Sequence, residues 1–339
     1  MLQVKMPKAY EFQYLDVPVP KVGESDVLIK MSTMGICGSD VQVYHGLHNY
    51  MTFPVVQGHE GSGVVEQIGE KVTAVKPGDK VTIQPQIFCG ECVPCRTGNE
   101  NVCQNLKVYG IHTDGMAQEY LSMPESVVRK LPDDMSLDVA AFVEPVAVAV
   151  GSIRRCGEIK GKNVVVLGAG PIGNLVAQVA VAEGANVLIT DIAERKLVLA
   201  EECGIPHVRN TKEFDLKQAI TEVFGDGGAD CIIDCAAVTQ SLLSALNAAR
   251  PASKIVIVGN FKKPVEIEIP LIQRQAIDVI GVMMYVKTDY EKAINLIHKG
   301  QVEVKKLISN SFPVNRFEEA YNFIDENRVD VMKILMQFS

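Results

Sequence analysis

The 339-residue sequence lacks a basic surplus, an apolar run among its first residues, an apolar run of membrane length, an internal repeat and a low-complexity tract. Each absence removes a class of function. A net charge of −8 at pH 7 excludes the Lys/Arg-rich footprint with which nucleic-acid binders meet phosphate. The opening MLQVKMPKAYEFQYLDVPVP reaches Lys5, Lys8 and Glu11 too early for the apolar stretch of a signal peptide. The longest apolar run, Val139 to Val150, is interrupted by Glu144 and Pro145 and falls short of the ~20 residues that span a bilayer. An acidic, cytoplasmic protein with no membrane and no nucleic-acid partner is the expectation that remains.

What is present suffices for two domains of ordinary size, and 47% apolar residues supply a core for each. The first 150 residues read as β-rich. Short branched runs (Asp26 to Met31, Gly61 to Ile68, Lys80 to Gln84) are separated by Gly and Pro turns, the pattern of short strands. From Gly161 the texture changes. KNVVVLGAG reads as a buried parallel strand ending in glycines, and NLVAQVAVAEG as a helix; ANVLITD, ERKLVLAEEC, ADCIIDCAA and SKIVIVGN continue the alternation. Repeated strand–helix units at this spacing predict a doubly wound parallel sheet. Two helices (Tyr290 to His298, Arg316 to Glu326) and a last strand (Met332 to Phe338) follow. The expected division is a β-rich domain over 1–150, completed by about 287–339, around a parallel-sheet domain over 151–286.

Four of the nine cysteines, Cys89, Cys92, Cys95 and Cys103, fall within fifteen residues. In a reducing compartment such clustering reads as metal ligation before disulfides. Spacings of two, two and seven residues let four thiolates close on one tetrahedral zinc. Inert buried thiols and an iron–sulfur cluster are the other readings; four cysteines at this density in a loop between strands favour zinc. Cys156, Cys203, Cys231 and Cys235 read as core packing.

A second constellation lies in GICGSD (35–40) and GHEGSG (58–63), where Cys37, His59 and Glu60 offer ligands amid glycines. Glu144 stands inside the apolar AAFVEPVAVAV. A buried carboxylate needs a cation or a proton, so it reads as a ligand or near-ligand, or as the cap of the helix that follows. Gly168, Gly170 and Gly173, with Pro171 and Ile172 between, follow VVVL and open a helix. In that setting the glycines let the backbone approach a pyrophosphate at the helix N-terminus. Asp191 ends the next strand, where its carboxylate can accept both ribose hydroxyls and would repel a 2′-phosphate, so NAD is expected over NADP.

Together these motifs resemble the zinc-containing, medium-chain alcohol dehydrogenase superfamily, in order and spacing, over essentially the whole chain. Glu60 after the histidine, VYGIHTDG (108–115) and FVEPVAVAV are most similar to the polyol and sugar-acid branch: sorbitol, galactitol-phosphate, galactonate and threonine dehydrogenases. The resemblance implies an α/β chain with a β-rich GroES-like catalytic domain and a Rossmann-type domain. It implies two zinc ions, one catalytic on Cys37, His59 and Glu60, with Glu60 exchanging with Glu144 or water, and one structural on Cys89, Cys92, Cys95 and Cys103. Ser39 would contact the substrate oxygen and pass its proton, and Asp40 would orient His59. Lys196 would meet the adenosine ribose, and Val258 would line the nicotinamide site. The cleft would lie between the domains, at the carboxyl ends of the parallel strands. A homo-oligomer, tetramer or alternatively dimer, is implied as well.

Two positions depart from the pattern. Gln42 stands where many relatives carry a proton-relaying histidine, leaving His45 or a water chain to substitute. Met284 precedes Tyr285 where sorbitol-type enzymes place an arginine. The expected activity is reversible oxidation of a secondary alcohol of a polyol, sugar alcohol or sugar acid, with L-threonine 3-dehydrogenase or diol dehydrogenase as alternatives. A non-catalytic NAD-sensing protein on this fold would be expected to lose metal ligands that this chain keeps. Reduction of an activated double bond, as in zinc-free relatives, conflicts with the same ligands.

Overall fold

The computed structural model describes residues 1–48, 51–212 and 215–338. The chain divides into two compact units, residues 1–144 with 308–339, and residues 145–307. The second unit therefore runs on to Leu307 and includes the helix Lys287–His298, so the segment that returns to the first unit begins at Ile308 rather than near 287.

The first unit is built on a seven-stranded sheet whose longest member is the strand Asp26–Ile36. Its Val27, Ile29 and Met31 alternate onto the core, wholly buried or nearly so, and a register shift between Met31 and Thr33 brings Met34 into the same core. The strand outruns the short segment legible in the sequence because two further strands cover its far end. Glu60–Ile68 runs antiparallel to it, with Gly35 opposite Glu60. Lys333–Gln337 pairs on the other side, with Ile334 opposite Ile36. One strand thus ends, and its neighbours begin, at the same level of the sheet.

The second unit is a six-stranded parallel sheet. Its spatial order is His207–Asn210, Asn186–Asp191, Asn163–Leu167, Cys231–Asp234, Lys254–Ile257 and Asp278–Gly281. This is the order in which a doubly wound sheet reverses direction between its first and fourth strands, and ligands bind outside the carboxyl ends at that switch. Val164, Val165, Val166, Ile232 and Ile233 are completely buried, as strands covered on both faces must be. Among the cysteines read as core, Cys156 and Cys231 are buried with sulfurs 3.1 Å apart, and Cys203 and Cys235 are partly exposed. Among the described residues no helix is long and apolar enough to cross a membrane.

Candidate functional site

Cys37 directly follows the Asp26–Ile36 strand and caps the short helix Gly38–Tyr44. His59 directly precedes Glu60, the first residue of the antiparallel neighbour. The sheet register therefore delivers both to one place: ligand atoms of Cys37, His59 and Glu60 all lie within 4.8 Å of one another. The VYGIHTDG motif secures the approach to His59. Amides of Gly115, Met116 and Ala117 donate to the carbonyls of Val56, Gly58 and Gln57 at 2.8–3.0 Å.

Asp40 stands behind this group, with 1% of its surface exposed. Its Oδ2 accepts the Cys37 amide at 2.9 Å, and its Oδ1 faces His59 Nδ1 at 3.6 Å. Those two facing atoms are buried without a hydrogen-bond partner. Burial disfavours a charged His59, but Asp40, Cys37 and Glu144 together outweigh it and hold the imidazole pKa well above its usual range. A thiol, an imidazole and a carboxylate in a pocket that demands positive charge fit a zinc ion.

Ser39 lies half-buried on the first turn of the same helix. Gln57 ties the region to the returning helix Phe317–Glu326: it donates to the Asp40 carbonyl at 2.9 Å and accepts from the buried Tyr321 hydroxyl at 2.6 Å. His45 sits just past the short helix, its Nε2 2.9 Å from Asp325 Oδ2. Glu144 is buried on the first turn of the helix Val143–Cys156. Its charge is felt at His59, but its carboxylate is not within the group that meets within 4.8 Å.

One residue of the site escaped the sequence reading. Lys333, only 5% exposed, places Nζ 2.6 and 2.8 Å from the two oxygens of Glu60. Its signal was present all the same. A lysine within VMKILMQF is as anomalous as Glu144 within its own apolar run, and a buried ammonium needs a partner for the same reason.

The four clustered cysteines also converge, with sulfur–sulfur distances of 3.4–4.0 Å for the contacting pairs. Amides of Cys95 and Gln104 pull the Cys92 thiol down to about 6, which favours the thiolate that a metal requires.

In the second unit, Gly170 caps the helix Pro171–Ala182, with Pro171 at its first position and Ile172 and Gly173 next. A Cβ on Gly170 would meet nothing within 4 Å, whereas one on Gly173 would overlap the carbonyl of Gly168, whose φ is +92°. The open space lies at the helix N-terminus, where a pyrophosphate fits. Asp191 faces this loop. Its Oδ2 accepts the Ala169 amide at 2.7 Å, and its Oδ1 accepts Ile192 and Ala193 at 2.7 and 2.9 Å. With about two acceptor sites per oxygen, one remains on Oδ2, enough for one ribose hydroxyl rather than two. Lys196 lies on the first turn of the helix Glu194–Glu202. Val258 follows the strand Lys254–Ile257, and its amide donates to the Asp234 carbonyl at 3.0 Å. Tyr285 is wholly buried against Tyr290, ring centroids 5.5 Å apart.

Residues 23–133 match the alcohol dehydrogenase GroES-like domain and residues 171–299 the zinc-binding dehydrogenase domain. The chain is 35% identical to 2-dehydro-3-deoxy-L-galactonate 5-dehydrogenase of Pseudoalteromonas atlantica, over 91% of this chain and 90% of that one. Galactitol-1-phosphate dehydrogenase of Escherichia coli superposes with a TM-score of 0.92 at 28% identity, covering 99% of this chain and 100% of that one. An Escherichia coli alcohol dehydrogenase complexed with NADH superposes with a TM-score of 0.93 at 29% identity, covering 100% and 99%.

Proposed function

The chain belongs to the zinc-containing medium-chain alcohol dehydrogenase superfamily, in its polyol branch, and from that premise we propose that it oxidises a secondary alcohol of a polyol, sugar alcohol or sugar acid reversibly to the ketone, with NAD as the coenzyme. In this reading Cys37, His59 and a carboxylate from Glu60 or Glu144 hold the catalytic zinc, and Cys89, Cys92, Cys95 and Cys103 hold a structural one. When bound, zinc lends Lewis acidity to the substrate hydroxyl and NAD accepts the hydride.

The rest falls to the chain's own side chains. Ser39 Oγ would accept the hydroxyl proton as it passes its own outward. Asp40 fixes the His59 ring and balances its charge from behind. Gln42 cannot titrate, so the proton leaves through His45 or water. The Asp325 carboxylate, 2.9 Å from His45 Nε2, fixes the ring just past the short helix and supports that route. In the second unit the Gly168–Gly173 turn holds the pyrophosphate and Asp191 accepts a ribose hydroxyl while repelling a 2′-phosphate. Lys196 serves the adenosine ribose, and Val258 lines the nicotinamide site.

The observation that carries this reading is the convergence of Cys37, His59 and Glu60 in front of a buried Asp40. Its test is a panel of polyols, aldonates, diols and threonine with NADH absorbance as readout. Turnover of a polyol or sugar acid supports it; turnover of none of the four classes by protein carrying two zinc ions removes it. In the same reading the enzyme is a cytoplasmic homo-oligomer, tetramer or dimer. The edge strand Asp278–Gly281, paired on one side only among the described residues and with Val279 exposed, supports self-association, which sedimentation measures.

A further inference from the structure

The helix Gly38–Tyr44, seven residues long, is too short to hold its own place; a helix of that length is fixed by what packs on it. Yet Cys37 opens it and Ser39 lies on its first turn. The helix Phe317–Glu326, from the far end of the chain, holds it at three points. The Tyr321 ring lies 4.6 Å from that of Tyr44, the last residue of the short helix. Asp325 Oδ2 meets His45 Nε2, just beyond that end, at 2.9 Å. The third hold reaches the first turn, and it is indirect. The Tyr321 hydroxyl donates to Gln57 Oε1 at 2.6 Å, and Gln57 Nε2 donates to the Asp40 carbonyl at 2.9 Å. Tyr321 and Gln57 are each 1% exposed. The Gln57 backbone is anchored separately, its carbonyl accepting the Ala117 amide at 2.9 Å.

The chemistry of this link admits few side chains. A carboxamide carries a donor and an acceptor of nearly the same shape, and with the two exchanged its oxygen would push against the Asp40 carbonyl. A phenol that donates to Oε1 removes that choice. Tyr321 keeps its proton for the purpose: burial, with Asp40 and Cys37 nearby, holds its pKa well above the usual phenol range. An ionised glutamate at position 57 would have no proton to give the carbonyl. Resting on the reading that the Cys37–His59 group carries the reaction, we propose that Tyr321 and Gln57 are positioning residues: the phenol orients the amide, and the amide holds the turn that carries Cys37 and Ser39 in its working place. Neither side chain touches the reacting atoms. Their effect is leverage, since a shift of about 1 Å in a reacting group costs up to a hundredfold in rate.

The test compares Tyr321→Phe with the double variant Tyr321→Phe, Gln57→Met in the full chain. Turnover is read on the substrate that the wild type oxidises, and the cobalt(II) spectrum is read with no substrate at all. Tyr321→Phe leaves the buried Gln57 oxygen without its donor. It should lower both the melting temperature and kcat, the latter roughly ten- to a hundredfold, with two zinc ions per chain and an unchanged KM for NAD. In the double variant both partners are apolar and close to the original shapes, so the melting temperature should return toward wild type. Its kcat should stay low. The Cys37-dependent part of its cobalt spectrum, defined by what Cys37→Ser removes, should stay shifted from wild type. Activity that recovers along with stability, a double variant that stays destabilised, an unshifted spectrum, or a wild-type kcat in Tyr321→Phe would each overturn the proposal. Should Tyr321→Phe fail to fold, the double variant alone decides. A wild-type cobalt spectrum that Cys37→Ser leaves unaltered would instead remove the reading that Cys37 holds a metal.

Discussion

Asp40 Oδ1 and His59 Nδ1 face each other at 3.6 Å, each buried and neither hydrogen-bonded. The gap is too long for a hydrogen bond and short enough to close with a small rotation of the ring. A ligand on the far side of the imidazole that fixes the ring's orientation supplies that rotation, as the carboxylate partners of metal-bound histidines do.

Asp40→Asn should therefore weaken zinc binding at the Cys37–His59 group by about 10- to 100-fold while the Cys89–Cys103 lobe keeps its ion. Zinc stoichiometry after dialysis against a graded chelator reads both sites at once. Equal loss from the two sites would show that Asp40 supports the fold rather than the histidine.

Zinc content should be two per chain. Cys92→Ser should lower the melting temperature or disturb assembly more than it changes turnover, because the lobe lies apart in sequence from Cys37 and His59. A fully active chain with one zinc or none would count against the assignment.

Glu144→Gln separates two roles. At the metal, the change should reduce kcat by orders of magnitude with NAD affinity and melting temperature nearly intact. As a helix cap alone, it should cost about 1 kcal/mol of stability with activity kept. We expect the first outcome, and a fully active but destabilised variant would remove Glu144 from the site.

NAD should exceed NADP in kcat/KM. Asp191→Ala should narrow that preference before reversing it, and should also raise the KM for NAD, because the three amides that the carboxylate accepts lose their partner at about 1 kcal/mol each. A parent enzyme that prefers NADP would refute the role of Asp191.

Asp79 gives a pH signature. Its hydrogen bond from Lys130 at 2.8 Å outweighs burial and holds its pKa below the usual carboxylate range. A depressed folded-state pKa adds stability that is present above the unfolded value near 3.9 and is lost as pH falls through the folded one. The stability difference between wild type and Asp79→Asn should be full at pH 7 and shrink below about pH 4, as followed by denaturant midpoints.

Much of this was legible in the sequence because its chemistry is local. The lobe cysteines sit within one loop, and the Gly168–Gly173 turn lies between its own strand and helix. Cys37 and His59 were legible as residue types, but their meeting depends on the Gly35–Glu60 register. Lys333 was missed because its partner is 273 residues away and only strand pairing joins them. The acceptor count of Asp191 escaped for a similar reason: Ala169 belongs to a neighbouring turn, and periodicity carries no hydrogen bonds. The strand Asp26–Ile36 read short at its end, where Met34, Gly35 and Ile36 owe their extended form to neighbours rather than to local propensity.

The first unit is interrupted in sequence and the second is not. On the ribosome, the parallel sheet of 145–307 is therefore fully synthesised while the far end of the strand Asp26–Ile36 still waits for its last partner. Until the Lys333–Gln337 strand arrives, the Thr33 to Ile36 end of that strand is bare on one side and Glu60 has no ammonium to hold it. The Cys37–His59–Glu60 group is thus completed last, by a strand added late to its sheet, and a chain stalled before Ile308 would hold a whole second unit and an unfinished first one.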